Sequence, residues 1–370
     1  MQKRSKIVLD IGSNKLTLCC GKRGVNGTFV LQCLAYKDYA GFSEGEFLEI
    51  DNLQSDIQKA LDMGKTNKKS DIKNVTIGVP SEFCLVKSCE VTKHFGKKVK
   101  LTEQVIQEVA ETSIEVDLLE DKKLISCNAL WVKLDDERVV YDWKNVKTTK
   151  LTAEISYIYV ENTFIDTINE ILTNLGVESV EYICSAEAQS RYLLENEDIA
   201  RKCVIIDVGY ISSSVSLACG NGLYDLKAFS YGGGHIAADL SECLDITFEQ
   251  GEALKREIVL SINSKKSEDY YEVDVKDKIL PVSINFANEI VKARLDMICG
   301  LIKKILSSFG IENSQYVPVY LTGGGISYIK GSRDYLAKSI GRNVQLLAPL
   351  SPGYCKPHLS SVISVLNSAL

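Results

Sequence analysis

Apolar and polar positions alternate in two widely separated segments of the chain, and each segment turns at an Asp-x-Gly sequence. Residues 6–20 form an apolar run, an Asp-Ile-Gly-Ser turn and a second apolar run. Residues 203–217 repeat this order around Asp207 and Gly209. Two apolar runs that meet at a short polar turn are typical of a β-hairpin. The repetition indicates two copies of one subdomain that face each other.

The rest of the first half has the pattern of a mixed α/β chain. Residues 28–36 and 73–80 have strand patterns, and residues 51–63 carry apolar side chains at helical spacing. Strand, strand, strand, helix and strand predict a mixed sheet with a crossover helix. After Pro80 the order becomes strand, helix, strand and strand, which predicts an inserted subdomain over residues 81–160.

The pattern then returns to the first core and continues into the second half. Helical spacing is predicted for residues 164–175, 236–244, 249–258, 284–309 and 360–370. Strands are predicted for residues 177–184, 223–231 and 316–321. The charged residues 261–277 are predicted to be partly loose.

Charge and composition narrow the possible partners. The 370 residues carry 43 Lys and Arg against 49 Asp and Glu, a net charge of −6, so no broad basic field predicts nucleic-acid binding. The run Lys97-Lys98-Val99-Lys100 is predicted to be a solvated loop, with contact to a neighbouring subunit as the alternative. Twelve cysteines without a Cys-x-x-Cys pair, beside three histidines, do not indicate a zinc site. No apolar run approaches the ~20 residues that span a bilayer.

Glycine-rich turns follow several of the strand-like runs. Backbone N–H groups can approach a phosphate at such turns, because glycine has no Cβ. The turns contain Gly12, then Gly209, then Gly232, Gly233 and Gly234, and finally Gly323, Gly324 and Gly325. Two carboxylates, Asp10 and Asp207, lie at the ends of the paired hairpin strands, where they could hold a Mg²⁺ ion between the two halves.

Together with these turns, the segment Gly251-Glu252-Ala253-Leu254-Lys255 follows the order of motifs in the actin, Hsp70 and sugar-kinase superfamily. Over nearly its whole length the chain most resembles the bacterial cell-division actin family FtsA. Asp10-Ile11-Gly12-Ser13-Asn14-Lys15 is similar to the family's first phosphate motif, and Leu321-Thr322-Gly323-Gly324-Gly325 to its nucleoside turn. The insertion after Pro80 has the order found in FtsA and in the pilus-assembly protein PilM.

The resemblance implies an α/β actin-like fold, with two duplicated βββαβα halves around a nucleotide cleft and an FtsA-type strand-helix-strand-strand insertion. The predicted subdomains are residues 1–80 with 161–200, the insertion 81–160, residues 201–235 with 300–370, and residues 236–299.

The resemblance also implies ATP and Mg²⁺ as cofactors. The implied nucleotide-binding residues are Gly12, Ser13, Asn14, Lys15, Gly209, Ser212, Gly232, Gly233, Gly234, Glu252, Lys255, Gly323, Gly324 and Gly325. The implied metal ligands are Asp10 and Asp207, and the implied catalytic residues are Asp207 and Glu187. A solvated glutamate at a helix start is the alternative for Glu187.

The second hairpin departs from the family pattern, because Tyr210 and Ile211 stand where FtsA-like chains have glycine. Neither residue adopts a positive φ cheaply, and their side chains would crowd a γ-phosphate. We therefore predict ATP binding with very slow hydrolysis at most. A degenerate fold that binds no nucleotide is the alternative.

The function implied by the resemblance is that of a filament-forming protein that binds the C-terminal tail of FtsZ and links the division ring to the membrane. Its partners would be further copies of itself and FtsZ, with no nucleic acid, at the inner face of the cell membrane. FtsA-like chains continue into an amphipathic membrane helix beyond the position of Leu370, so membrane contact is expected through that segment or through a partner. A PilM-like pilus adaptor and a sugar kinase or phosphatase are the alternatives, although Ser214 does not supply the extra acid of those enzymes.

Overall fold

The computed structural model describes residues 5–25, 28–64, 72–112, 120–260, 269–275, 278–311 and 316–370. The strands are β1 (Lys6–Ile11), β2 (Lys15–Arg23), β3 (Phe29–Asp38), β4 (Phe42–Ser43), β5 (Glu46–Phe47), β6 (Asn74–Val79), β7 (Cys84–Lys100), β8 (Lys122–Lys133), β9 (Val139–Val140), β10 (Lys147–Glu161), β11 (Ser179–Cys184), β12 (Cys203–Val208), β13 (Ser213–Cys219), β14 (Gly222–Phe229), β15 (Tyr270–Val275), β16 (Lys278–Ser283), β17 (Val319–Thr322) and β18 (Val344–Leu346). The helices are α1 (Ile50–Met63), α2 (Glu103–Glu111), α3 (Asn162–Asn174), α4 (Ser185–Leu193), α5 (Asn196–Ile199), α6 (Gly233–Leu244), α7 (Phe248–Glu257), α8 (Ile284–Ser308), α9 (Ser332–Ile340) and α10 (Ser360–Ala369). Short 3₁₀ turns occupy Ser81–Phe83 and Pro357–Leu359.

Two five-stranded sheets have the same topology. In the first, the order is β11-β6-β1-β2-β3, with an antiparallel β1–β2 hairpin, an antiparallel β3 and two parallel strands. In the second, the order is β18-β17-β12-β13-β14, with the same directions at the corresponding places. The duplication predicted from the two Asp-x-Gly hairpins is therefore confirmed.

Each sheet packs its apolar face against helices. In the first half, Leu9 and Leu16 lie in one core with Phe164 and Ile168 of α3. In the second half, the apolar stripe of α8 packs on the sheet, and its buried members include Val291, Leu295, Ile298 and Ile302. Burial of each such side chain contributes ~1.5–3 kcal/mol, so the two cores hold both hairpins in place.

The insertion has its own sheet, in the order β7-β10-β8-β9, with α2 packed on one face. This is the predicted strand, helix, strand and strand, with the short β9 added. The insertion also contacts the second half, because Trp131 Nε1 donates a hydrogen bond to Tyr224 Oη of β14 at 2.5 Å. The subdomain boundaries stay a prediction.

Two helices connect the halves behind the cleft. The last helix, α10, belongs to the second half in sequence but packs against β1, β2 and α4. Nothing in the apolar pattern predicted α4. Its sequence is largely polar, yet Ser185, Glu187, Gln189 and Ser190 are all buried, because each finds a hydrogen-bonding partner.

One local prediction was wrong. Residues 97–100 were predicted to be a loop, but they lie within β7, which continues to Lys100. The segment 261–277 was predicted to be partly loose. Its residues Tyr270–Val275 form β15, which pairs with β16, whereas residues 261–268 and 276–277 lie outside the described residues. Within the part of the chain that the structure describes, no helix is long and apolar enough to cross a membrane.

Candidate functional site

The first hairpin turns between β1 and β2. Gly12 N–H donates to the carbonyl oxygen of Lys15 at 3.0 Å, and a Cβ atom on Gly12 would lie 2.9 Å from that oxygen. The turn is therefore tight enough to require glycine. Among the described residues, no group accepts the N–H groups of Ser13 and Asn14. These two N–H groups are available to an anionic ligand.

The second hairpin has the same turn. Gly209 N–H donates to the carbonyl oxygen of Ser212 at 3.1 Å, and a Cβ on Gly209 would lie 2.5 Å from it. Neither Tyr210 nor Ile211 is among the described residues with positive φ, so neither position has the backbone strain that a positive φ would cause. The turn keeps ordinary backbone angles, and only the side chains distinguish it from the first turn.

The two turns contact each other across the cleft. Ile211 N–H donates to Ser13 Oγ at 2.9 Å. The hydroxyl of Ser13, which was predicted to bind phosphate, is thus the acceptor of a bond from the opposite half, and the side chain is buried. A phosphate that uses this hydroxyl would have to replace the contact.

The two aspartates lie beside these turns; Asp10 is buried and Asp207 is half-buried. Asp10 Oδ1 accepts hydrogen bonds from Ser361 Oγ at 2.7 Å and Ser185 Oγ at 3.2 Å, whereas Asp207 Oδ2 accepts one from Gln189 Nε2 at 2.6 Å. Burial raises the pKa of Asp10 to about 6, and the nearby charge of Asp207 contributes to this increase. Burial also raises the pKa of Asp207, against the opposing hydrogen bond from Gln189.

This donor set fits a divalent cation. The charge of Asp207 raises the pKa of Asp10, so a positive ion between the two carboxylates would favour their ionised forms. Mg²⁺ is commonly held by one or two carboxylates together with phosphate oxygens and water. Asp10 and Asp207 are the residues that would hold it.

Helix α4 supplies contacts to both aspartates, but Glu187 does not line the cleft. Its Oε1 accepts hydrogen bonds from Asn128 at 2.7 Å, Arg191 at 2.9 Å and Ser126 at 3.1 Å, on the face of α4 toward the insertion. Glu187 is only 4 % exposed, so the alternative of a solvated glutamate is also wrong. Gln189, which the sequence did not single out, occupies the cleft face instead.

The glycines at 232–234 do not line the cleft in the described structure. The Gly232 N–H donates to His235 Nδ1. The Gly233 N–H donates to the carbonyl oxygen of Gly209, and the Gly234 N–H to that of Tyr210. A Cβ on Gly233 would lie 2.3 Å from the carbonyl oxygen of Gly325. These glycines allow three turns to pack together behind the site, and the prediction that they bind phosphate is corrected.

Glu252 and Lys255 do line the cleft, next to Tyr210. Lys255 Nζ lies 2.7 Å from Glu252 Oε2 and donates to the carbonyl oxygen of Gly233 at 3.0 Å. Tyr210 Oη donates to Glu252 Oε2 at 3.3 Å, and Lys255 Nζ lies 5.2 Å from the Tyr210 ring centroid. Burial lowers the pKa of Lys255, and the bond to Glu252 opposes this. The two helix residues are thus already paired, with the Tyr210 ring beside them.

The remaining predicted residues complete a cavity of about 1110 Å³. Lys15 lines this cavity, and its Nζ lies 3.3 Å from Oδ1 of Asp38. The predicted residues that line the cavity are Asp10, Gly12, Ser13, Asn14, Lys15, Asp207, Gly209, Ser212, Glu252, Lys255, Gly323, Gly324 and Gly325. Tertiary packing adds lining residues that no motif indicated, namely Tyr36, Ser185, Gln189, Tyr328, Lys356, His358 and Ser361. Within the described residues, no group of three or more His, Cys, Asp or Glu side chains could hold a metal ion.

Comparisons with known proteins agree with this architecture. The family model for the cell division protein FtsA matches residues 204–364. The chain is 22% identical over 331 residues to FtsA of Enterococcus hirae, covering 88% of this chain and 74% of the relative. It is 24% identical over 373 residues to FtsA of Agrobacterium fabrum, covering 94% of this chain and 82% of that relative. The resemblance to FtsA is confirmed, since the chain is similar to these cell-division proteins over most of its length.

Solved structures show the same fold. The PilM–PilN type IV pilus biogenesis complex matches with a TM-score of 0.63 at 16% identity, covering 98% of this chain and 97% of the other. MreB5 of Spiroplasma citri bound to ADP matches with a TM-score of 0.56 at 11% identity, covering 98% and 94%. The actin-like fold predicted from the sequence is confirmed.

Proposed function

We propose that the chain is a cell-division actin-like protein that binds ATP together with Mg²⁺ in the cleft. The observation that carries this proposal is the arrangement of Asp10 and Asp207. Asp10 is buried and Asp207 is half-buried, each lies beside a glycine turn with the same hydrogen bond, and both turns line one cavity. The MreB5 structure, which has the same fold, is bound to ADP, and this supports a nucleotide as the ligand.

The chain's own residues divide the binding between the halves. The N–H groups of Ser13 and Asn14 are available for phosphate, and Lys15 lies beside them. Glu252 and Lys255 border the opposite part of the cavity with residues 323–325, where the nucleoside would lie. Mg²⁺, held by Asp10 and Asp207, would neutralise charge on the phosphates.

Hydrolysis is expected to be very slow. A γ-phosphate must be clasped by backbone N–H groups in line with an ordered water, and small displacements are costly. The second turn uses the Ile211 N–H for the contact with Ser13, and the Tyr210 side chain is packed against Glu252 and Lys255. Bound ATP would act as a ligand that sets the conformation of the two halves and is hydrolysed only slowly.

We further propose that nucleotide binding supports self-assembly into filaments, and that the protein links the tail of FtsZ to the inner face of the cell membrane. The kinship with proteins named for cell division supports this role. The insertion, with a sheet and a core of its own, is the part of the chain that we assign to subunit or partner contact.

The nucleotide proposal is tested by calorimetric titration with ATP in the presence of Mg²⁺. Glu252→Gln should weaken binding about tenfold. It removes a carboxylate that lines the cavity where the nucleoside would lie, and with it a charged hydrogen-bond acceptor. Glu242→Gln, on the exposed side of α6, is the matched control and should bind ATP like the unmodified chain. Absence of ATP binding by the unmodified chain would contradict the proposal.

The partner is tested separately with immobilised peptides. Capture of the chain by an FtsZ tail and not by a pilus-protein tail supports the division role, and the reverse supports a PilM-like adaptor. A sugar kinase or phosphatase is not proposed. Residues 212–214, at the end of the second turn and the start of β13, are serines and add no acid to the cleft.

A further inference from the structure

The insertion ends in a narrow two-stranded ribbon that carries six lysines. β10 pairs with β8 only from Thr152 onward, whereas its residues 147–151 pair with β7 alone. The ribbon therefore extends past the neighbouring strand. We define the basic ribbon by the lysines of these two segments, which are Lys93, Lys97, Lys98, Lys100, Lys147 and Lys150.

A β-bulge in β7 contains two of these lysines, Lys97 and Lys98. Residues 95–98 of β7 stand opposite Thr149 alone, because Cα pairing shifts from His94↔Lys150 to Val99↔Thr148. Gly96, at the centre of the bulge, has a φ of +70° and open space on its side-chain side. Lys97 and Lys98 follow it and are exposed. The bulge thus directs two adjacent lysines away from the sheet.

Among the residues that the structure describes, no ion pair neutralises the lysines of the basic ribbon. Lys100 lies directly across the strands from Lys147, and like charges in such positions are destabilising. Within the described residues, the ion pairs of the insertion use other cations, namely Lys122, Lys133, Arg138 and Lys144.

Among the described residues, Asp135 and Glu137 interact with the ribbon, and each already has partners. The carboxylate of Asp135 accepts the backbone N–H groups of Thr149 at 3.0 Å and Lys150 at 2.7 Å, so it supports the bulge. Glu137, whose pKa is lowered mainly by Lys133 and to a smaller extent by Lys150, is paired with Lys133. In a chain with a net charge of −6, this leaves a concentrated positive surface that folding alone does not require.

We propose that the basic ribbon binds the anionic surface of a lipid bilayer. The surface contains lysine but no arginine, and it lies on the two-stranded part of the sheet that extends past β8. Lysines act as point charges, and anionic lipids can diffuse laterally to meet them, so no matched spacing is needed. The attraction is long-ranged and screened by salt.

The chemistry of the ribbon favours a bilayer over nucleic acid. Recognition of nucleic acid commonly uses arginine forks, amide side chains and aromatic stacking. Residues 93–100 and 147–150 contain no Arg, Asn or Gln. Phe95, the aromatic residue of the ribbon, packs against the core of the insertion and is half-buried. The ribbon is separate from the cleft and needs no nucleotide. The inference rests on the membrane role in the proposed function and assigns that contact to one surface of the chain.

The test is co-sedimentation of the full chain with vesicles, without nucleotide, at about 50 mM and about 300 mM salt. The vesicles are phosphatidylcholine alone or with about 30% phosphatidylglycerol. The ribbon variant combines Lys97→Gln, Lys98→Gln, Lys100→Gln and Lys147→Gln. The control variant combines Lys303→Gln, Lys304→Gln, Lys330→Gln and Lys338→Gln, four exposed lysines of the second half. Both variants change the net charge equally.

The unmodified chain and the control should bind the anionic vesicles at low salt and dissociate at high salt, with the ribbon variant bound at least about tenfold more weakly. An equal loss in the control, no binding by the unmodified chain, or tighter binding to random-sequence duplex DNA than to vesicles overturns the proposal. If the four-lysine ribbon variant fails to unfold cooperatively, Lys97→Gln with Lys98→Gln replaces it. That pair lies on the exposed bulge and should still weaken binding severalfold.

Discussion

The first and second turns of the cleft have the same backbone and differ in what their side chains do. In both, a glycine N–H donates to the carbonyl oxygen three residues later, at 3.0 Å for Gly12 and 3.1 Å for Gly209. The first turn continues with Ser13 and Asn14, whose N–H groups have no acceptor among the described residues. The second continues with Tyr210 and Ile211, which contact the rest of the cleft.

This difference indicates unequal roles for two equivalent positions. The first turn offers small residues and free N–H groups to a ligand, whereas the second uses its side chain and an N–H to hold the cleft together. Asp207 of the second hairpin lines the cavity, and the proposed function gives it a ligand-binding role. On this proposal, the same fold element supports binding in one half and closure in the other. Four experiments test this division.

The largest effect is expected from Asp207→Ala. Loss of this carboxylate should weaken Mg-ATP binding about a hundredfold, because an interaction with a charged group worth up to ~3 kcal/mol is removed. Binding of ATP without Mg²⁺ should change much less. Calorimetric titration measures both, with Asp334→Ala on the exposed start of α9 as the control. Equal binding by the variant and the unmodified chain under both conditions would show that Asp207 is not a metal ligand.

A second effect concerns stability and pH. Because the folded-state pKa of Asp10 is raised to about 6, its protonated form stabilises the fold below the unfolded value of 3.8, and this contribution is lost as pH rises through about 6. Asp10→Asn removes the titration. We compare the free energies of unfolding of the variant and the unmodified chain in metal-free buffer. Between pH 4.5 and 7.5, the difference should shift by roughly 2 kcal/mol in favour of the variant. Denaturant unfolding at several pH values measures the difference.

Asp135→Asn is a control for which the stability change at neutral pH should have the opposite sign. The pKa of Asp135 is lowered to about 2, chiefly by the backbone N–H of Thr149, so its contribution to stability is present above the unfolded value and lost as pH falls toward 2. Its replacement should cost stability at neutral pH. A gain at neutral pH for both variants, or for neither, would contradict the assignment of Asp10.

The third experiment makes the second turn resemble that of the family. Tyr210→Gly with Ile211→Gly should raise steady-state ATP hydrolysis about tenfold, since the turn becomes able to approach the phosphate. ATP affinity should change by less than about threefold. Tyr210→Phe is the matched control, because it keeps the ring and removes only the bond to Glu252. Rapid hydrolysis by the unmodified chain would refute the idea that this turn limits turnover.

The smallest effect is expected from Ser13→Ala, which removes the acceptor of the Ile211 N–H between the two halves. The free energy of unfolding should fall by about 1 kcal/mol, the usual value for one hydrogen bond. Asn14→Ala in the same turn should cost less, as its side chain makes no comparable contact across the cleft. If both variants are equally stable, the contact between the turns does not hold the halves together.

Several features of this protein follow from the sequence by itself. The apolar runs around Asp10 and Asp207, with a tight glycine turn after each, predicted the duplicated hairpins. Periodicity also predicted the long helix α8 and the order of the insertion. These features depend on residues close together in the chain, and local patterns of burial and turn geometry specify them.

The tertiary structure decided the roles that depend on contacts between distant segments. Glu187 and Gln189 lie two residues apart, and only the packing of α4 determines that Gln189 faces Asp207 while Glu187 faces the insertion. Gly233 looked like a phosphate-binding glycine, but the approach of residue 325 gives it a packing role. A glycine or a buried polar residue is compatible with several partners, and the sequence does not contain the distances that select one.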